Sequence, residues 1–417
     1  MSNEVAIDHI GVNGYGLANT PHGPVYVPFT LPGEIATITL HEKYGKLITL
    51  EKKSSERIDA ICKHFENCGG CTLQHWRADA YRTWKRQLVV DALKKYGLDL
   101  IVSPLIECKL YSRRRMTLTA SITPQGPRVG FNRHFSHEIV ALEECPVSCS
   151  ELTSQLNNIR MLCFFLSNHV KRFHVTITHV ENGLDVAVSG CVIRHESTRQ
   201  KIVSAALSYG IKRLSIEGEV LVEQERPFVC FGDVCVEFPP GGFLQATYEA
   251  ENIIGNIILN HLKKAKNAAD LFSGVGTFAL RMAKKVNVHA VENNEVALAN
   301  LHLATRFATG LKTVTCEKRD LFRRPLSTKE LECFDSVVFD PPRAGAEEQV
   351  RELAKAAIPL VVAISCNPTT FARDLSLLVA GNYKVEQIIP IDQFLWSPHV
   401  EIVAVLSKRK TKKSWKL

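Results

Sequence analysis

From residue 243 onward, the sequence alternates between short apolar segments typical of strands and segments with helical periodicity. Such alternation predicts a doubly wound α/β domain, in which helices cover both faces of a mostly parallel sheet. Ligands of these domains bind outside the carboxyl ends of the strands. The residues that directly follow each predicted strand are therefore the first candidates for a functional site.

The length of 417 residues exceeds what one compact core usually serves, so we expect several domains. Residues 6–52 alternate short β-rich runs with Gly and Pro turns, which is typical of a small antiparallel barrel. A helical segment, RADAYRTWKRQLVVDALKKYG, follows and ends at Gly97. From about residue 105 to 242 the pattern is mostly that of strands, with one helical interruption near residues 150–168.

These patterns divide the chain into three predicted domains. The first is the β-barrel of residues 1–54, and the second is a central β-rich domain formed by residues 55–73 and 106–242. The third is the α/β domain, formed by residues 74–105 and 243–417.

The composition, with 45% hydrophobic and 23% charged residues, is that of an ordinary globular protein. The sequence has no apolar run of the roughly 20 residues that a membrane-spanning helix needs. Its first residues, MSNEVAIDH, lack a signal-peptide pattern. We therefore expect a cytoplasmic protein, in which the 13 cysteines stay unpaired unless they bind metal or do chemistry.

The net charge of +8 favours a polyanionic partner. Arg113, Arg114 and Arg115 are consecutive at the start of a predicted strand, so at least one of these side chains should face outward and can contact nucleic acid. The basic C-terminal segment SKRKTKKSWKL is more typical of a solvated chain end, although it too can contact phosphates.

The most specific constellation is a group of cysteines. Cys62, Cys68 and Cys71 lie close together in ICKHFENCGGCTLQH, and Cys145 follows far downstream in LEECPVSC. Four such thiolates can hold an iron-sulfur cluster, because each iron keeps one cysteine ligand and the glycines let the backbone turn tightly. Zinc is the alternative, with Cys149 and Cys145 as a second short pair, and scattered buried cysteines are a third interpretation. The grouping favours the cluster.

A glycine turn begins the α/β domain's predicted site. NAADLFSGVGTFALRMA places Gly274 and Gly276 between a strand and a helix, where backbone can approach a ligand. Many strand-to-helix turns use glycine only for geometry, so this signal is weak alone. Glu292 ends the next predicted strand, in NVHAVENNEVALANL, where a carboxylate can accept both hydroxyls of a ribose. Together they indicate an adenosine-bearing cofactor.

Two later strand ends complete the predicted site. FDSVVFDPPRAGA places Asp340 after an apolar strand, and two prolines then turn the chain away from the sheet. LVVAISCNPTTFARD places Cys366 in the same way, so both side chains should face one crevice. A free cysteine is often a buried hydrophobic residue. Its position beside a cofactor crevice favours a nucleophile instead.

The motifs FLQAT, DLFSGVG, VEN, DPPRAG, SCNPTTFARD and PHVEIVAVL, together with the cysteine group, resemble the S-adenosylmethionine-dependent RNA uracil-5 methyltransferase family. Within that family they resemble the iron-sulfur 23S ribosomal RNA branch, and the resemblance covers essentially the whole chain. It implies a class I Rossmann-like methyltransferase domain, an N-terminal TRAM domain, which is an OB-like RNA-binding barrel, and a 4Fe-4S cluster in the central domain.

The resemblance also implies residue roles. Cys366 would add to carbon 6 of a flipped-out uridine of 23S rRNA, carbon 5 would take the methyl group, and Glu401 would remove the carbon 5 proton. The cluster ligands would be Cys62, Cys68, Cys71 and Cys145. The cofactor-binding positions would be Gln245, Phe272, Gly274, Thr277, Glu292, Asp320 and Asp340.

Thr277 departs from the family pattern, which frequently has Asn at this cofactor-contacting position. The alternatives are a tRNA uracil-5 methyltransferase, an RNA cytosine-5 methyltransferase, an amino-group methyltransferase, and a catalytically silent RNA-binding assembly factor. An amino-group enzyme would carry Asn-Pro-Pro-Tyr where this chain has Asp340-Pro-Pro-Arg343. The presence of both Cys366 and Glu401 favours an active uracil enzyme.

Overall fold

The computed structural model describes residues 2–123, 126–166 and 172–408, and its strands form four sheets. The predicted basic C-terminal segment lies outside the described residues, except for Ser407 and Lys408. Across these three described ranges, no helix has the length and apolar character needed to cross a lipid bilayer.

The first sheet is formed by the N-terminal residues. Its six strands are β1 Ser2–Ala6, β2 His9–Ile10, β3 Gly16–Thr20, β4 Gly23–Val27, β5 Ile35–His41 and β6 Tyr44–Lys52. They lie in the order β1-β5-β6-β4-β3-β2, and all pairs are antiparallel except a short parallel contact between Tyr26 and Tyr44. Inward-facing apolar side chains, among them Val27, Ala36 and Ile38, give this sheet a core of its own. The antiparallel pairing agrees with the sequence prediction.

The predicted helix after this sheet is confirmed as α1, Ala78–Lys95. It ends just before Gly97, whose φ of 71° is readily adopted by glycine. Val89 and Leu93 on its buried face belong to a core shared with the C-terminal part of the chain. A two-residue strand, β7 Ile106–Glu107, follows.

The second sheet has seven strands with helices packed against it. The elements are β8 Arg115–Thr123, β9 Gly126–Asn132, β10 Ile139–Ala141, α2 Ser150–Thr153, α3 Leu156–Leu166, β11 Arg172–Val180, β12 Gly183–Ser189, α4 Glu196–Ser208, β13 Arg213–Ile216 and β14 Glu219–Glu223. The prediction of one helical interruption is wrong, because α4 is a second one. Strands β12 and β13 pair in parallel, and a parallel pair needs a crossover connection, which α4 supplies.

A hairpin follows, formed by β15 Phe228–Phe231 and β16 Val234–Glu237. Cys230 and Cys235 lie opposite each other in its register and form a disulfide, with their Cα atoms 4.0 Å apart. The expectation that cysteines without metal or chemistry stay unpaired is wrong for this pair. The hairpin brings both side chains to the same face of adjacent strands, which is the geometry that a disulfide needs.

The remaining elements build an eight-stranded sheet with helices on both faces. They are α5 Tyr248–His261, β17 Asn267–Leu271, α6 Ala279–Met282, β18 Asn287–Glu292, α7 Glu295–Phe307, β19 Val314–Lys318, α8 Thr328–Leu331, β20 Ser336–Phe339, α9 Glu347–Lys355, β21 Leu360–Ser365, α10 Pro368–Ala380, β22 Tyr383–Asp392 and β23 Glu401–Lys408. The strand order is β19-β18-β17-β20-β21-β23-β22-β7, and one apolar core lies on each face. The predicted doubly wound α/β fold is confirmed.

One strand of this sheet is reversed. Strands β17 to β21 pair in parallel, whereas β23 is antiparallel to both β21 and β22. In the register of β21 and β23, Ser365 pairs with Ile402. The first residue of β23, Glu401, therefore lies at the edge where the parallel strands end.

Candidate active site

A cavity of about 610 Å³, here called the catalytic cavity, opens at the carboxyl edge of the eight-stranded sheet. Most of the residues predicted for catalysis and cofactor binding line it, namely Gln245, Phe272, Gly274, Glu292, Asp320, Asp340, Cys366 and Glu401. Thr277 is not among the lining residues, so its contact with a cofactor stays a prediction.

Glu292 joins two loops on one side of the catalytic cavity. One carboxylate oxygen accepts a hydrogen bond of 2.9 Å from the Gly274 amide, and the other accepts bonds of 2.8 Å from the amides of Asn293 and Asn294. The turn after β17 is thereby tied to the end of β18. Gly276 has a steric role, because a Cβ there would lie 2.4 Å from a methyl carbon of Leu301.

Two further predicted positions extend this side of the cavity. Phe272 has a φ of 62° and packs on Phe322, with the ring centroids 5.4 Å apart. Asp320 accepts a hydrogen bond of 3.0 Å from the amide of Phe322, so it orders the loop after β19. An aromatic side chain and carboxylates from three loops are thus collected where a nucleoside-bearing ligand can bind.

Two carboxyl groups, one half-buried (Asp340) and one buried (Glu401), face the other side of the catalytic cavity. Asp340 follows β20 and accepts a hydrogen bond of 2.7 Å from the side-chain amide of Gln245. Burial raises the pKa of Asp340 to about 7. Burial, with a further contribution from the charge of Asp340, also raises the pKa of Glu401 well above its usual range. The two groups are therefore held close enough to oppose each other's ionisation.

Cys366 lies between the end of β21 and the start of α10. Asn367 caps this helix, with its side-chain oxygen accepting a hydrogen bond of 3.1 Å from the Thr369 amide. Burial and the charges of Glu401 and Asp340 raise the pKa of the Cys366 thiol to about 11, and Arg343 acts in the opposite direction. The resting group is therefore a thiol, which must lose its proton before it can act as a nucleophile.

Gln393 is a residue that the sequence did not single out. Its amide nitrogen donates to the side-chain oxygen of Gln245 at 3.0 Å and to Glu401 Oε2 at 2.5 Å. Its amide oxygen accepts a hydrogen bond of 3.2 Å from the Ala246 amide. Its position one residue after the end of β22 is the only signal in the sequence that pointed toward the cavity.

The three consecutive arginines have different surroundings. Arg114 is buried, forms an ion pair with Glu251 and donates to the Gln245 carbonyl at 3.0 Å. Arg113 and Arg115 are half-buried and line the catalytic cavity. We predicted that at least one of the three side chains would face outward. Instead, Arg113 and Arg115 face cavities, because the start of β8 lies against the α/β sheet.

A second cavity of about 330 Å³, here called the four-cysteine cavity, is lined by Cys62, Cys68, Cys71 and Cys145. The Gly70 amide lies 3.4 Å from the Cys68 sulfur, and the Ser148 hydroxyl lies 3.3 Å from the Cys145 sulfur. Burial raises the pKa of Cys68 to about 11 and that of Cys71 to about 12. These thiols need a bound cation to become thiolates at neutral pH.

The spacing of potential ligand atoms bears on the choice between zinc and a cluster. Sulfurs that share one zinc ion at about 2.3 Å lie about 3.8 Å from one another. Among the described residues, the group of three that comes within 4.8 Å is Cys149, Glu151 and His179, and the four thiols do not form such a group. The four thiols are therefore not gathered at the spacing of a shared single ion. Cys149 does not line the four-cysteine cavity, so the structure offers no support for the zinc pair with Cys145.

A glycine-containing turn and a strand-end carboxylate at the carboxyl edge of a doubly wound sheet are typical of domains that bind an adenosine-bearing cofactor, a class that includes the S-adenosylmethionine-dependent methyltransferases. Comparisons with known proteins identify the family. The family model described as tRNA (Uracil-5-)-methyltransferase matches residues 257–409. An uncharacterized RNA methyltransferase of Brucella melitensis is 51% identical over 405 residues, which cover 97% of this chain and 98% of that protein.

The 23S rRNA (uracil(1939)-C(5))-methyltransferase of Shewanella denitrificans is 29% identical over 447 residues, covering 97% of this chain and 94% of that protein. The solved structure of Pyrococcus abyssi tRNA (uracil-54, C5)-methyltransferase in complex with S-adenosyl-L-homocysteine shares the fold. It superposes with a TM-score of 0.74 and 24% identity, covering 97% of this chain and 99% of that one. The chain belongs to the RNA uracil-5 methyltransferase family and is an S-adenosylmethionine-dependent enzyme.

Proposed function

We propose that the enzyme methylates carbon 5 of a specific uridine in 23S rRNA, with Cys366 as the nucleophile and Glu401 as the base. The observation that carries this proposal is that Cys366, Asp340 and Glu401 line the same cavity as the cofactor-binding positions. The named substrate of the Shewanella relative supports 23S rRNA over tRNA, and a cytoplasmic location is part of the proposal.

S-adenosylmethionine supplies an electrophilic methyl group, and the residues that would hold it include Phe272, Gly274 and Glu292. The Cys366 thiol loses its proton to solvent, and the resulting thiolate adds to carbon 6 of the flipped uracil. This makes carbon 5 nucleophilic enough to take the methyl group, whose bond to the cofactor sulfur breaks. Glu401 then takes the proton from carbon 5. The electron pair of that bond restores the double bond between carbons 5 and 6, and the Cys366 thiolate leaves.

The four cysteines fit a 4Fe-4S cluster in a structural role, because no step of this chemistry transfers electrons. The cluster would tie the loop at residues 62–71 to Cys145. Lys63 already joins the same two segments, with its ammonium 2.6 Å from Glu143.

The three-domain division is also part of the proposal, with residues 1–54 as a TRAM-like RNA-binding barrel. Arg113 and Arg115 would contact RNA at the catalytic cavity. Arg115 Nε is buried without a hydrogen-bond partner among the described residues, so it remains available to a ligand such as a phosphate.

Covalent trapping tests this function. The anaerobically purified enzyme is incubated with S-adenosylmethionine and either 23S rRNA or tRNA that contains 5-fluorouridine. Fluorine cannot leave as a proton, so the enzyme should stall as a denaturation-resistant adduct with 23S rRNA. Cys366→Ala should bind the same RNA without forming the adduct. If only tRNA forms the adduct, the enzyme is a tRNA uracil-5 methyltransferase instead. If neither RNA forms it, the mechanism is contradicted.

A further inference from the structure

We infer that Gln393 is a positioning residue that holds Glu401 by one carboxylate oxygen and presents the other, Oε1, to the substrate. This inference rests on the proposed function, since it concerns how the base of that reaction is arranged. Gln393 is 2% exposed and lines the catalytic cavity beside Glu401.

The orientation of the Gln393 amide is fixed by the main chain. The Ala246 amide can only donate, so the Gln393 atom that faces it at 3.2 Å must be the oxygen. The nitrogen of Gln393 then faces both Gln245 and Glu401 and donates one hydrogen to each. Glu401 Oε2 is therefore an acceptor in this arrangement.

The second oxygen of Glu401, Oε1, accepts no such hydrogen bond from the described residues. Glu401 Oε1 is buried and has no hydrogen-bond partner in the part of the chain that the structure describes. An unsatisfied buried carboxylate oxygen is costly, and such atoms are found where a ligand completes the site. Glu401 lines the catalytic cavity, and Oε1 is its only oxygen that no donor among the described residues engages, so we infer that Oε1 receives the proton of the bound base.

The position of Gln393 is itself held on both sides. The buried ammonium of Lys85 forms an ion pair with Asp392 and donates to the Phe394 carbonyl at 2.8 Å. Tyr81 adds a hydrogen bond of 2.8 Å to the Asp392 carboxylate. Helix α1 thus anchors the residues on both sides of Gln393.

The elimination step depends on this arrangement. Proton transfer from carbon 5 needs an ionised oxygen within hydrogen-bond reach, and donation to Oε2 favours the ionised form. Burial, and then the nearby Asp340 carboxylate, disfavour it by raising the pKa of Glu401, while Cys366 is neutral at rest. Without Gln393, carbon 5 would still be methylated, but its proton would leave slowly and Cys366 would remain bonded to carbon 6.

The test measures how much covalent protein-RNA intermediate accumulates and how fast it releases the methylated RNA. Gln393→Met preserves the length of the side chain and removes both donated hydrogen bonds. With ordinary uridine-containing RNA and S-adenosylmethionine in a single turnover, this variant should accumulate a methylated protein-RNA adduct. Its release should be about 10²-fold slower than in the wild type, within the range that a general base contributes.

In Gln393→Met, the addition of Cys366 to the RNA base should be unaffected. The rate of adduct formation with 5-fluorouridine RNA should therefore stay close to the wild-type value. Gln349→Met is the matched control for losing a buried amide. Gln349 is 1% exposed and bonds the main chain of Leu326 at 2.8 and 3.1 Å, away from the cavity. This variant should release product at the wild-type rate.

Glu401→Gln provides the reference for a missing base, and adding Gln393→Met to it should slow release no further. If Gln393→Met does not fold, Gln393→Asn is the second variant, because its shorter amide cannot reach Ala246 and Glu401 together. Wild-type release in either folded variant would overturn the inference. Failure of the wild-type enzyme to trap 5-fluorouridine RNA would instead overturn the proposed function, so the two failures are distinguishable.

Discussion

The catalytic cavity and the four-cysteine cavity share Arg113, Arg115 and Phe394 in their walls but are organised differently. Strand ends form the catalytic cavity, and its polar side chains bond one another, as in the series from Asp340 through Gln245 and Gln393 to Glu401. Three of the four cysteines that line the four-cysteine cavity come from residues 53–77, which contain no regular helix or strand. A packed sheet preorganises the first cavity, whereas we expect the second to depend on what its thiols bind.

The largest expected contrast between the cavities is in thiol alkylation. In the iron-loaded enzyme, iodoacetamide should label Cys366 and leave the four cysteines of the second cavity unmodified. Because the pKa of Cys366 is raised to about 11, its labelling rate should rise about tenfold per pH unit between roughly pH 7 and 10. Peptide mass spectrometry measures each site, and the exposed Cys333 serves as the internal reference.

Removal of the iron by oxidation and chelation should then expose all four cysteines to labelling without changing the rate at Cys366. Equal labelling of the four cysteines and Cys366 before iron removal would show that no bound group protects the second cavity. The contrast between a self-supporting and a ligand-supported cavity would then fail.

The second prediction concerns the buried ion pair by which Lys85 of helix α1 holds Asp392 beside the catalytic cavity. Lys85→Met leaves the buried Asp392 carboxylate without its ammonium, which should lower the free energy of unfolding by about 3–5 kcal/mol. Urea denaturation measures the change. Lys85→Met combined with Asp392→Leu should recover most of it, since no uncompensated charge remains buried. A loss below about 1 kcal/mol in the single variant would mean that the pair does not fix the strand end.

The smallest effect is expected at the rim of the four-cysteine cavity. Lys63 and Glu143 are 2.6 Å apart, but their side chains are 51% and 65% exposed. Exposed pairs contribute little, so Lys63→Ala should change the free energy of unfolding by less than about 1 kcal/mol. A change above about 2 kcal/mol in urea denaturation would indicate that surface charge, rather than a bound group, holds the loop.

The sequence was most informative where chemistry follows directly from a strand end. Asp340 and Cys366 could be placed in one crevice because parallel strands end at a common edge. Glu401 could not be placed in this way, since it begins a strand, and only the family resemblance pointed to it. Gln393 was missed because its role depends on the distant residues Gln245 and Ala246 as well as on Glu401, a relation that no local pattern encodes.

Two other differences have local causes that the sequence does carry. The disulfide between Cys230 and Cys235 follows from a tight hairpin around Gly232 and Asp233, a turn signal that could have been read. Helix α4 was obscured because its first six residues are all polar and its apolar residues are confined to its second half. The parallel pairing of β12 and β13, which requires a crossover, becomes visible only in three dimensions.

The reversed strand β23 determines the distance between the two reacting side chains, Cys366 and Glu401. If the register in which Ser365 pairs with Ile402 continued by one residue beyond the end of β21, Cys366 would lie opposite Glu401, with the two backbones about one interstrand spacing of 4.8 Å apart. The atoms they act on, carbons 6 and 5 of one ring, are bonded neighbours. A single inserted residue in either strand would shift this register and turn one side chain to the opposite face. We therefore expect insertions and deletions in β21 and β23 to impair the enzyme more than substitutions do.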